Sequence, residues 1–140
     1  MAASYRHFRS AVACFAMVLT QVDVGRADET DMPAKQKFVV RLKEAVRADD
    51  KVWLADHAHY PMRFYGHKTR MIRNRMSFLR SYPSMIGSKL RAGILAQDPE
   101  KVFENYQGMM LGDGATNIWV RAVGDGTSGV FEIVTINDEE

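Results

Sequence analysis

From Ala34 onward the apolar residues recur with the period of a helix. Phe38, Val39, Leu42, Ala45 and Val46 share one face, while Lys35, Lys37, Arg41, Lys43 and Glu44 fall outside it. The pattern predicts an amphipathic helix over Ala34–Ala48. Asp49-Asp50 breaks it, and Asp50 is placed to cap a shorter helix, KVWLADHA. Pro61 ends helix formation, and HYPMRFYGHKTRMI then reads as strand, turn at Gly66, and strand. Asn74 is a good cap for RMSFLRSY, whose Met76, Phe78 and Leu79 can turn inward before Pro83 stops it. A second short helical pattern, with Ile86, Leu90, Ile94 and Leu95 apolar, lies between Ser84 and Ala96. After Val102 the texture changes. VFENYQGMML, IWVRAVG and VFEIVTIND are three apolar and aromatic runs separated by GDGATN and DGTSG, which predicts an antiparallel meander of three strands with tight hairpins. Helices first and a hairpin sheet last is the order of an α+β fold.

The N-terminus has a different character. MAASYRHFRS carries Arg6 and Arg9 and no acid, AVACFAMVLT is apolar, and Gly25 and Ala27 are small residues suited to cleavage after Ala27. These are the three parts of a secretory signal peptide over residues 1–27. The apolar run is too short to span a bilayer, so no anchor is expected after cleavage. Cys14 lies inside that run, whereas a lipid-modified cysteine follows it, so a lipoprotein is excluded. A flexible arm is expected over 28–36 and a single domain over 37–138. The remainder has no cysteine, so its stability must come from a packed core. Of 19 Lys+Arg and 17 Asp+Glu, the first 27 residues hold Arg6, Arg9, Arg26 and Asp23, leaving 16 against 16. The apparent basicity belongs to the leader, and with it goes any whole-molecule attraction to nucleic acid.

GDGTSG, from Gly124 to Gly129, fits the glycine spacing of dinucleotide-binding loops. Such a loop must be followed by a helix whose N-terminus holds the pyrophosphate. Here the β-branched run VFEIVTI follows, so the glycines serve a hairpin turn and no nucleotide cofactor is expected.

Between Lys37 and Asn137 the chain carries FVVRLKEAVRADDK, HYPMRF with a basic MIRNRMSFL after it, LRAGILAQDPEKVF, and NYQGMMLGDG running into IWV. In these it resembles small exported bacterial proteins of the nuclear-transport-factor-two-like superfamily, the cone-shaped fold shared with cystatin-like proteins. The resemblance implies a long first helix packed on a strongly bent antiparallel sheet that encloses a pocket. The superfamily contains isomerases, dehydratases, polyketide cyclases and non-enzymatic binders, and the exported group carries no assigned activity, so the likeness implies no single reaction.

Three clusters carry candidate chemistry. His57 and His59, with Met62 and His67 nearby, would project to one side of an extended segment. No cysteine or spacing-fixed carboxylate joins them, so no metal is expected. Asp56 with His57 or His59, and Tyr60 or Tyr106, can supply a base and a phenolic donor to a pocket that turns over a substrate, and Asp56, His59, Tyr60 and Tyr106 are the candidate ligand-binding set. Between His57 and Gln97 lie Arg63, Lys68, Arg70, Arg73, Arg75, Arg80, Lys89 and Arg91 with no acid among them. Arg63, Arg70, Arg73 and Arg75 are the candidate docking surface for an acidic partner; nucleic acid does not suit an exported domain. Trp53, Met109, Met110 and Trp119 read as core. The favoured function is an exported soluble binding module that uses a pocket or this basic face for a protein or small molecule. The alternatives are a small metal-independent lyase or isomerase and a subunit that forms a homodimer through its sheet.

Overall fold

The computed structural model describes residues 32–139; the expected signal peptide and most of the expected arm lie outside them. The first helix, α1, spans Ala34–Ala48 and buries the five apolar residues of its stripe. It therefore begins inside the segment expected to be a flexible arm. Asp50 caps α2 (Lys51–Asp56), accepting from the Trp53 amide at 3.0 Å. Asn74 does the same for Ser77 at the start of α3 (Arg75–Ser81). Pro83 does not end the chain's helical course abruptly: it sits in a 3-10 turn, Tyr82–Ser84, before α4 (Ser88–Ala96).

The strands are β1 (Ala58–Tyr65), β2 (Arg70–Ile72), β3 (Phe103–Asn105), β4 (Gly108–Asp113), β5 (Thr116–Ala122) and β6 (Phe131–Asp138). They form one sheet in the order β2-β1-β6-β5-β4-β3. The fold is α+β, with the C-terminal strands in an antiparallel meander. Two features depart from the pattern. The segment VFENYQGMML makes two strands, because the Asn105 side chain accepts from the Gln107 amide at 2.8 Å and Gly108 turns the chain at φ 125°. And β1 pairs with β6 in parallel, which makes the sheet mixed.

Register shifts interrupt β1–β6 between Ala58 and Arg63 and β5–β6 between Trp119 and Val120. Pro61 lacks an N–H for the ladder and falls inside the first of these gaps. The GDGTSG loop joins antiparallel β5 and β6 and is closed by Val123 N–H donating to the Val130 carbonyl at 2.9 Å. Gly124, Gly126 and Gly129 all have positive φ, as a turn requires.

The helices cover one face of the sheet. Leu42, Leu54, Phe78, Met85, Leu90 and Ile94 from the helical half meet Met62, Phe64, Met109, Leu111, Ile118, Val120, Ile133 and Ile136 from the sheet, all buried. The interior, where the resemblance implied a pocket, is filled by these side chains. Among the described residues no helix is long and apolar enough to cross a membrane.

Candidate functional site

The expected pocket residues divide between the two faces of the sheet. Asp56 ends α2 in the open and pairs with Arg75 of α3. That guanidinium holds the Asp56 carboxyl below the usual carboxylate range. Tyr60 lies half-buried on the helix side and donates to the Ala55 carbonyl at 2.7 Å. Burial pushes its phenol up to about 12. His59, the next residue back along β1, faces the other way, and its Nδ1 lies 2.9 Å from Glu132 of β6. Tyr106 is 93% exposed in the β3–β4 turn. The four do not converge on one pocket.

The histidines separate for a local reason. His57 is the C-cap of α2 at φ −107°, ψ 16°, not an extended residue. Its ring stacks on Trp53 at 3.9 Å and its Nδ1 meets the Trp53 carbonyl at 2.8 Å. His57 and His59 therefore do not point the same way, and no metal-holding group of His, Cys, Asp or Glu occurs among the described residues.

The candidate docking arginines are all exposed but do not form one surface. Arg63 pairs across the ladder with Met71, and Phe64 with Arg70, so Arg63 and Arg70 project to opposite faces. Arg70 lies over the Phe64 ring at 4.8 Å and donates to Ser84 at 2.9 Å. Arg75 is neutralised by Asp56. Arg73 lies between β2 and α3, outside both elements.

A more coherent constellation occupies the sheet face that none of the described helices covers. One register row crosses all six strands: Met71, Arg63, Thr135, Trp119, Met110 and Phe103. Met71 and Phe103 are each about half exposed. Phe103 meets Trp119 edge-on at 6.4 Å between ring centres. Flanking this row are Tyr65 opposite Asn137 on one side and Arg121 opposite Glu132 on the other. Comparison with family models, with curated proteins and with solved structures finds no match. The chemistry must be read from this face itself.

Between these rows lies an open groove of about 590 Å³, lined by Tyr65, Tyr106, Trp119 and Val134 and by the polar groups of Gln107, Arg121, Thr135 and Asn137. That size lies within the roughly 300–1,000 Å³ range of small-molecule sites. Its side chains are partly preorganised. The Tyr65 phenol accepts from Arg63 at 3.2 Å, which fixes the ring at one wall. Asn137 donates to Asn117 at 2.6 Å, and Asn117 donates to the Gly114 carbonyl at 2.6 Å.

The sequence pattern predicts Trp119 as core and does not distinguish Gln107, Arg121 or Asn137. The signal was present in IWVRA: Ile118 and Val120 face the helices, so Trp119 and Arg121 must face away.

Proposed function

We propose that this chain is an exported binding module that receives a small amphipathic molecule on the open face of its sheet, in the groove between Tyr65, Trp119 and Arg121. The observation that carries the reading is the grouping of three aromatic side chains with a guanidinium and two amides around one concave surface, on the sheet face away from the described helices. Flat aromatic walls supply contact area, and a few polar groups fix orientation. Membership of the nuclear-transport-factor-two-like superfamily is part of the proposal; the order of helices and strands supports it. Export rests on the basic start, apolar run and small residues of the first 27 positions.

The enzyme reading has less support. Asp56 is exposed and ion-paired, and His59 is engaged by Glu132 on the opposite face. The candidate residues Asp56, His59, Tyr60 and Tyr106 are not gathered around one substrate position. A homodimer through the sheet is disfavoured by charge, since an isologous pairing would bring the Arg63 and Arg121 faces of two copies together.

The test is a fragment screen of the full-length chain, with neutral, cationic and anionic members, followed by mapping of backbone and indole resonances. Hits clustering on β5 and β6 around Trp119 and Thr135 support the groove. Hits clustering around Asp56, Tyr60 and Arg75 would overturn it in favour of the helix side.

A further inference from the structure

Arg121 and Glu132 are direct cross-strand partners in the β5–β6 ladder. Opposite charges so placed ordinarily meet, since their Cβ atoms lie only about 5 Å apart. Here they do not. The Glu132 carboxylate is taken by His59 Nδ1 at 2.9 Å, on the side of β6 away from Arg121. Glu132 is the only acid at an open-face register position among the described residues. Arg121 is left without an acid partner among them, and it lines the groove.

We propose that the groove selects an anion, a carboxylate carried on a flat apolar body, and that Arg121 receives its head because His59 holds Glu132 aside. This rests on the groove being the binding site. A guanidinium presents a planar fork that matches a carboxylate through two parallel hydrogen bonds. A neutral ligand seated in the groove would strip water from that cation and return no counter-charge, which is costly. An anionic head offsets the loss. The body of the ligand lies against Trp119 and Tyr65, whose faces suit a flat ring. Thr135 and the Gln107 and Asn137 amides supply the remaining polar contacts. A phosphate dianion fits less well, because Arg63, the next cation on this face, is turned to the Tyr65 phenol and does not line the groove. His59 touches no ligand in this arrangement; it is a positioning residue.

The experiment titrates the isotope-labelled full-length chain with three probes of one shape: naphthoate, naphthamide and naphthyl phosphate. The Trp119 indole resonance reports occupancy. Naphthoate should bind roughly tenfold or more tightly than naphthamide, the usual worth of a charged hydrogen bond. Arg121→Gln should abolish that preference, chiefly by weakening naphthoate toward the affinity of naphthamide. His59→Ala should weaken naphthoate severalfold as Glu132 turns to Arg121, and adding Glu132→Gln to it should restore binding. All of these positions are at or near the surface, and an unchanged melting temperature confirms that each variant folds. Equal binding of naphthoate and naphthamide at Trp119 would leave the groove standing and overturn the anion. Tighter binding of naphthyl phosphate would overturn the carboxylate head. Unchanged naphthoate affinity in His59→Ala would overturn the positioning role. No shift at Trp119 with any probe would overturn both the groove and the anion.

Discussion

The Tyr82 phenol donates a 2.7 Å hydrogen bond to the carboxylate of Asp49, the residue that turns the chain out of α1 with φ 58°. Asp49 and Asp50 donate their amides to the Val46 and Ala45 carbonyls, the paired bonds of a Schellman motif. Glycine is the usual residue at that left-handed position. Aspartate stands there because its carboxylate also accepts from Arg91 at 2.7 Å, while the other arm of Arg91 donates to the Val46 carbonyl. One side chain thus joins the end of α1 to the 3-10 turn and to α4. Asp49→Gly should lower the melting temperature despite relieving the backbone, and Asp49→Ala should lower it further, since alanine keeps the strain and loses both partners. Tyr82→Phe should cost about 1 kcal/mol in urea unfolding.

The pH dependence has a defined sign at each end. The partners of Asp49, Asp56 and Asp125 hold all three carboxyls below their ordinary value. A depressed carboxylate stabilises the fold above its unfolded pKa of about 4, and the contribution disappears as pH falls further. At the alkaline end, burial pushes the Tyr60 and Tyr82 phenols up to about 12. Their contribution is complete below about 10 and is lost as pH rises from there toward 12. Urea midpoints should therefore fall below pH 4 and above pH 10. Phenolate absorbance should show these two phenols ionising above the ordinary tyrosine value of about 10.

Two glycines of the β4–β5 hairpin should respond differently to alanine. At Gly112 a Cβ would stand 2.4 Å from the Thr116 carbonyl oxygen and 2.8 Å from the Asn117 Cα, both backbone atoms, at φ 122°. At Gly114, φ 54°, nothing lies within 4 Å. Gly114→Ala should cost about 1 kcal/mol, the left-handed penalty alone. Gly112→Ala should cost several times as much or unfold the hairpin, a difference that thermal unfolding of the two variants measures.

The two faces of the sheet should also separate in a stability scan. Phe78 is wholly buried among Tyr60 and Tyr82, and Phe78→Ala should cost about 3–5 kcal/mol. Arg63→Glu and Arg121→Gln on the open face should each stay within about 0.5 kcal/mol of the parent.

The helices were legible because their signals are local. The stripe from Phe38 to Val46 and the caps at Asp50 and Asn74 lie within a few residues of what they specify. The split of VFENYQGMML was not legible, since it depends on how Asn105 and Gly108 close a turn. Nor was the parallel pairing of β1 with β6, where Phe64 meets Ile136 across more than half the chain. The groove was hidden because both parities of β4 and β5 carry large apolar residues: Met109 faces the helices and Met110 faces away. Asp56 and His59 looked like neighbours in sequence, yet a helix end and an alternating strand send them to opposite sides.

The position of β6 bears on how the chain folds. It is the last strand in sequence and lies between β1 and β5 in the sheet. The helices and the β4–β5 hairpin can form from local contacts, but the two halves of the sheet have no shared ladder until residues as far as Asp138 are in place. During that interval the edges of β1 and β5 are both unpaired templates, open to a strand from any other chain. Docking of β6 between β1 and β5 therefore ends the stage of folding in which this chain is most exposed to misassembly.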